Sequence, residues 1–207
     1  MILNEKVLIS RGKDSLRNKK FSDALEFFSS AIKINPNNPL TFNERGKIFD
    51  RLRKNNKALI DFNKAIELNP EYTEAYKNRG DIRGKFKEFN LAIEDYTKAI
   101  SLNPTLVNAY NNRGLVKKEM GDLTAAELDF STAIDIKPNF TSPYCNRGMI
   151  RDIKGDIEGA IDDYSQAIKL NPKFATAFNN RGIAFAKLEN YESAITDYSK
   201  AININKR

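Results

Sequence analysis

Residues 107–140 read VNAYNNRGLVKKEMGDLTAAELDFSTAIDIKPNF. At roughly 100° per residue, Ala109, Tyr110, Gly114 and Val116 share one helical face, and Asn108, Asn112, Leu115 and Glu119 share the opposite one. Gly121-Asp122 breaks that helix. A second helix over Leu123–Ile136 places Ala126, Phe130, Ala133 and Ile134 on one stripe. Pro138 then stops the chain, because proline has no N–H to give and restricts the residue before it. The stretch is predicted to be a helix, a tight turn, a second helix and a short connector.

The same pattern recurs through the whole chain. The 207 residues divide into six rows of 34 with three left over, and glycine stands at 12, 46, 80, 114, 148 and 182. Pro36, Pro70, Pro104, Pro138 and Pro172 share a column. So do Ala24, Ala58, Ala92, Ala126, Ala160 and Ala194, and again Ala31, Ala65, Ala99, Ala133, Ala167 and Ala201. A two-helix row cannot bury its apolar stripes alone, so neighbouring hairpins must stack. Mid-helix glycine costs about 1 kcal/mol relative to alanine. Six such glycines imply that a neighbour fills the space of the missing side chain. The aromatic column Phe28, Phe62, Tyr96, Phe130, Tyr164 and Tyr198 is the expected occupant.

Composition narrows the function. The chain has no histidine and one cysteine, Cys145. That removes histidine acid–base catalysis, His/Cys metal sites and an intrachain disulfide. No enzyme activity, cofactor or metal is expected. No apolar run is long enough to span a bilayer, and Met1–Lys6 has no signal-peptide pattern. The expectation is a cytoplasmic protein without membrane insertion.

The period, the paired helices and the order Gly, Ala, aromatic, Ala, Pro resemble the tetratricopeptide repeat (TPR) family. The resemblance runs from about Asn4 to Arg207. It implies an all-α fold, a right-handed superhelical solenoid of six helix-turn-helix repeats whose first helices line a concave groove. It also implies a binding scaffold rather than a catalyst. The rows correspond to repeats at approximately 5–38, 39–72, 73–106, 107–140, 141–174 and 175–207, within a single solenoid over 1–207.

Three departures from the family pattern stand out. The usual tryptophan is replaced by Leu8, Phe42, Tyr76, Tyr110, Tyr144 and Phe178. The usual inter-helix glycine survives only at Gly121 and Gly155. Where the family has leucine before the column glycine, this chain has Arg11, Arg45, Arg79, Arg113, Arg147 and Arg181. An unpaired buried guanidinium is strongly unfavourable. Asp61, Asp95, Asp129, Asp163 and Asp197 each follow one of these arginines by sixteen residues. That spacing places them at similar height in a hairpin, so Arg–Asp structural ion pairs are predicted. Row one has Phe27 at the aspartate position, so Arg11 is expected to be more exposed or otherwise paired. An arginine ladder for an acidic ligand is the competing reading.

The face opposite the core carries Ser10, Glu44, Asn78, Asn112, Asn146 and Asn180. Amides can donate to and accept from an extended peptide backbone whatever its side chains. Similar ladders occur in peptide-binding repeat families, and this one is predicted to bind a protein or peptide ligand. The competing reading is a solvated polar column in an Asn-rich chain, of which Asn43, Asn111 and Asn179 are further members. Hydrogen bonds contribute only ~0.5–1.5 kcal/mol each, so flanking residues must supply affinity. Lys47, Lys77 and Asn111 flank the ladder. The column Lys13, Lys47, Asp81, Leu115, Met149, Ile183 passes from charged to apolar, with Cys145 and Ile153 added at the apolar end. Either this is a graded groove, or Leu115 and Ile183 are covered by long neighbours. The carboxylate clamp of tetratricopeptide co-chaperones is not assembled. Lys77 and Asn112 match it, but Asp81, Ser142 and Asn146 occupy its other positions, and no other window does better.

Charge is uneven. Residues 1–106 hold 20 basic and 14 acidic residues, a net +6, and residues 107–207 hold 14 and 13, a net +1. The excess gathers near the turns at Arg17, Lys19, Lys20, Arg51, Arg53, Lys54, Lys85 and Lys87. Cations there complement helix C-termini. They also make a basic ridge for an acidic partner or RNA, although no interleaved aromatics mark base stacking, so nucleic acid is not the favoured partner. The sequence stops after the sixth second-helix, where the family adds a polar cap. Ile195, Tyr198 and Ile202 are therefore expected to be partly exposed. The end would then serve self-association as a homo-oligomer, or the chain is a piece of a longer protein.

Overall fold

Each half-row becomes a helix because its small and apolar residues recur at helical spacing, and each turn closes because the backbone there enters the left-handed region. The structure, a computed structural model, describes residues 4–205. Among the described residues there are twelve helices and no strand. They form two compact units, Met1–Pro104 and Thr105–Arg207. Unit 1 holds α1 (Glu5–Arg17), α2 (Phe21–Ile34), α3 (Pro39–Arg51), α4 (Asn55–Leu68), α5 (Thr73–Lys85) and α6 (Phe89–Leu102). Unit 2 holds α7 (Val107–Glu119), α8 (Leu123–Ile136), α9 (Thr141–Ile153), α10 (Ile157–Leu170), α11 (Ala175–Lys187) and α12 (Tyr191–Asn205). Within each unit, consecutive helices pair as hairpins, and the second helix of one hairpin packs on the first helix of the next. The fold is that of an all-α helix-turn-helix repeat protein of the solenoid class. No described helix is long and apolar enough to cross a membrane.

The hairpins close on a ring-for-side-chain exchange. A Cβ built on Gly114 would lie 2.8 Å from the Phe130 ring, and one on Gly46 would lie 2.7 Å from Phe62. Gly12, Gly80, Gly148 and Gly182 meet Phe28, Tyr96, Tyr164 and Tyr198 in the same way, at 2.8–2.9 Å. The alanine columns beside these rings are buried and let the helix backbones approach. Between hairpins, Ile48, Ile82 and Ile150 close clusters on Phe28, Phe62 and Phe130 of the preceding row.

All six turns have one geometry. Gly121 N donates to Lys118 O at 3.0 Å and Asp122 N to Lys117 O at 3.0 Å. Lys19 with Lys20, Arg53 with Lys54, Lys87 with Glu88, Gly155 with Asp156, and Glu189 with Asn190 repeat this pair of bonds. It is the glycine-favouring C-terminal motif of helices. Gly121 and Gly155 sit at φ +85° and +86°. Lys19, Arg53, Lys87 and Glu189 hold the same position at φ 56–61°, a conformation that costs a residue with a Cβ roughly 1 kcal/mol or more. The helices that follow start differently in the two units. In unit 2 Asp122, Asp156 and Asn190 accept from Ala125 N, Gly159 N and Ser193 N at 3.0–3.1 Å. In unit 1 Lys20, Lys54 and Glu88 make no such cap.

On α12, Ile195 and Ile202 are exposed and Tyr198 is half-buried.

Replacing Gly114 with alanine improves intrinsic helix propensity, yet it is expected to lower stability by about 1–3 kcal/mol because the new methyl overlaps the Phe130 ring. Urea unfolding of the full chain measures it. A neutral or positive effect would show that the ring is free to move away.

Candidate peptide-binding face

The arginine column holds the first helices in position. Arg113 Nη2 donates to Asp129 Oδ1 at 2.7 Å and its Nε to Oδ2 at 2.9 Å. Arg45–Asp61, Arg79–Asp95, Arg147–Asp163 and Arg181–Asp197 form the same forked pair, each closing to 2.7 Å. Each aspartate is buried. A third contact reaches back into the preceding row: Arg45 Nη1 donates to Ser29 Oγ at 3.3 Å, Arg147 to Ser131 at 3.1 Å and Arg181 to Ser165 at 2.9 Å. Arg79 donates to Asn63 Oδ1 at 2.9 Å. Each guanidinium also lies over the aromatic ring three residues earlier, from 5.4 Å for Arg79 over Tyr76 to 5.9 Å for Arg147 over Tyr144. Cation–ring attraction contributes in that range. Two of the sequence departures are therefore one device, since the ring in the tryptophan column is the platform of the arginine. Hydrogen bonding to Asp163 raises the pKa of Arg147. Arg11 is exposed.

The asparagines on the first helices form linked pairs between neighbouring repeats. In unit 1, Asn78 Nδ2 donates to Asn43 Oδ1 at 2.9 Å, and Asn43 Nδ2 donates to the Tyr72 hydroxyl at 3.3 Å. Lys77 Nζ donates to Asn78 Oδ1 at 2.9 Å and to Asp81 at 2.8 Å. In unit 2, Asn146 Nδ2 donates to Asn111 Oδ1 at 2.8 Å, and Asn111 Nδ2 to Asn112 Oδ1 at 3.1 Å. Asn180 Nδ2 faces Cys145 Sγ at 3.9 Å, and Asn179 Nδ2 donates to Asn180 Oδ1 at 3.4 Å. Asn43 and Asn111 are not solvated members of an Asn-rich background, because they are 2% and 7% exposed and hold the amides of the next row. Their signal was a spacing of 35, one residue beyond the repeat, which a search in register misses.

Several flanking residues are placed differently from the sequence reading. Cys145 does not line an apolar groove. It is buried at 2% exposure within the cluster of Tyr144, Ala177 and Tyr164. Leu115 is half-buried against the Phe130 and Ile150 cluster. In unit 1 two charges of the flanking column are internally matched, since Lys47 pairs with Glu44 at 2.8 Å and Asp81 takes Lys77 and the Tyr96 hydroxyl, each at 2.8 Å, while Lys13 is exposed. Unit 2 does present an apolar hollow. Met149, Ile153 and Ile183 line a cavity of about 180 Å³ with Asn180, Asp152 and Tyr164. Ile153 is 61% and Ile183 40% exposed. Asp152 binds Lys187 at 2.7 Å through both oxygens. Burial, then the charge of Asp152, holds the Tyr164 hydroxyl protonated well above its ordinary range.

Models described as tetratricopeptide repeat match residues 41–72, 107–140 and 175–207, and one described as TPR repeat matches 87–121 and 153–189. No curated protein sequence matches the chain. Among solved structures, MamA is 27% identical, with a TM-score of 0.71, over 83% of this chain and 93% of its own. YrrB, described as a TPR protein with an unusual peptide-binding site, is 23% identical at TM-score 0.68, over 86% of this chain and 91% of its own. PilF of Pseudomonas aeruginosa is 16% identical at TM-score 0.85, over 93% and 88%.

Two outcomes follow from this chemistry. Asp129→Ala strands Arg113 and Lys117, which both bind that carboxylate. It is expected to cost about 3 kcal/mol, whereas a joint Arg113→Met, Lys117→Met, Asp129→Leu replacement recovers most of the loss. Denaturant midpoints of the two variants test this, and equal midpoints would refute it. Burial pushes the Cys145 thiol up to about 11. The thiol therefore stays neutral through ordinary pH, with a thiolate fraction on the order of 10⁻³ at pH 8. Ellman's reagent is expected to leave it untouched in the folded chain and to label it in urea. Rapid labelling without denaturant would contradict that burial.

Proposed function

We propose that this chain, which belongs to the tetratricopeptide repeat family, is a protein-interaction scaffold that binds an extended segment of a partner on the first-helix face of unit 2. The observation that carries this reading is the hollow of Met149, Ile153 and Ile183 with the Asn180 amide at its rim. The hollow takes one branched or aromatic side chain. Burying such a group contributes about 1.5–3 kcal/mol. The amides of Asn146 and Asn180 then fix the backbone beside it. Each has one N–H already turned to the previous row and one still free, because a primary amide carries two. Holding those side chains in place before binding lowers the ordering cost of association. YrrB supports the reading only as far as fold, since its described peptide-binding site belongs to a chain 23% identical to this one.

Selection of peptides from a displayed library on the full chain tests the proposal. The enriched peptides are expected to share one large apolar residue. Ile183→Asp is expected to abolish their binding at an unchanged melting temperature. Asn180→Ala is expected to weaken it by about two- to tenfold, the equivalent of one net hydrogen bond. Among the described residues its hydrogen-bond partners are a distant sulfur and the Asn179 amide, so the fold loses little. Enriched peptides that bind Ile183→Asp as well as the unaltered chain would rule the hollow out.

A further inference from the structure

The turn edge of unit 1 differs from that of unit 2 in both charge and local structure. Lys19, Lys20, Arg53, Lys54 and Lys87 are exposed, and among the described residues none has a carboxylate within ion-pair distance. The three turns share one edge. The Arg51 guanidinium at the end of α3 lies 5.9 Å from the Phe21 ring at the start of α2. Lys85 at the end of α5 bonds Asp50 at the end of α3. Arg53, Lys54, Asn55, Asn56 and Lys57 enclose a hollow of about 350 Å³ with Phe86 of the next turn. In unit 2 the corresponding turn positions hold Gly121, Asp122, Gly155, Asp156, Glu189 and Asn190. There, glycine removes the strain of the left-handed residue at two turns, and Asp or Asn caps the next helix at all three. Unit 1 forgoes every one of those devices and places cations in the strained positions instead. The folding of the turn does not require this, since unit 2 makes the same turn without it.

We propose that this edge of unit 1 is a second interaction surface, and that it takes an acidic protein segment with an apolar side chain among its carboxylates. The cations meet the carboxylates, and the hollow against Phe86, itself exposed, receives the apolar group. Complementary charge on exposed side chains speeds and orients encounter, and is weakened by salt. A nucleic acid fits less well. Binding successive bases needs a stacking ring at each step, and the column of Phe86 holds Asn18 and Leu52 in the other two turns of the unit.

The test uses the full chain with Lys19→Gly, Arg53→Gly and Lys87→Gly together. Glycine is the residue this backbone conformation favours, so the variant is expected to melt higher than the unaltered chain. Loss of binding then cannot be loss of fold. The probe is a fluorescein-labelled glutamate-rich peptide with a central leucine, followed by anisotropy at low and at physiological salt. The triple variant is expected to bind it about tenfold more weakly or worse. A control lacking the same charge elsewhere in the unit (Lys6→Ala, Lys33→Ala, Lys98→Ala) is expected to bind as the unaltered chain does, and Ile183→Asp likewise. Serine in place of the peptide's leucine is expected to weaken binding. No binding by the unaltered chain, equal loss in the control, or indifference to the leucine would overturn the proposal. Tighter binding of oligouridylate with the same loss in the triple variant would overturn it in favour of a nucleic-acid surface.

Discussion

The close approach of each helix pair rests on the absence of one carbon atom. At six positions, from Gly12 to Gly182, the space of a Cβ is taken by a ring from the second helix, within 2.9 Å of where that carbon would stand. An interior is packed as tightly as an organic crystal, so a ring and a methyl cannot share that volume. The exchange fixes the distance and the axial height of the two helices. Everything else in the hairpin follows from that height. The arginine just before each glycine and, from the second row on, the aspartate just before each ring are brought level, which is why a fork of two hydrogen bonds forms between positions sixteen apart.

The arginine then does two further things. It lies on the ring in the tryptophan column and, in four repeats, bonds a serine or asparagine of the preceding hairpin. A leucine at that column would pack within a hairpin and carry no direction. A guanidinium has five donors in a fixed plane, so it joins its own hairpin to the one before it in a set orientation. A buried ion pair is weak evidence of added stability. Its consequence here is register between the hairpins of one unit, where the asparagines of neighbouring rows lie within hydrogen-bond distance.

Much of this was legible from residue types at fixed spacing. The twelve helices, their turns and the rings facing the glycines follow from columns in which a helix period and a 34-residue period coincide. What was not legible lies off that period. Asn43 and Asn111 matter because the next row's amide reaches back 35 residues, a contact set by the offset between stacked helices rather than by the repeat length. Cys145 sits one residue from the ladder on a wheel diagram, but the stacking of α11 over α9 turns that edge inward and buries it. Leu115 is drawn toward Phe130 for the same reason. A helical wheel treats a helix as having an inside and an outside, whereas a helix stacked between two others is covered on both flanks. Residues at the border of the exposed face are where such a reading fails.

The turns extend this argument to function. All six have the same hydrogen bonds, so the sequence within them is free to vary wherever the conformation is tolerated. Glycine is tolerated best. Yet four of the six turns hold a residue with a Cβ in the left-handed region, and all three in unit 1 are cations. Local stability alone would select the glycine and aspartate of Gly121-Asp122 and Gly155-Asp156 at every turn. The departure concentrates the chain's net charge, since unit 1 carries nearly all of the +7. The two units have the same fold, so their difference in charge is not a requirement of folding. One unit has its free chemistry on the first-helix face, as an apolar hollow beside half-satisfied amides. The other pairs Lys47 and Asp81 on that face and leaves the five cations of its turns without a carboxylate partner among the described residues.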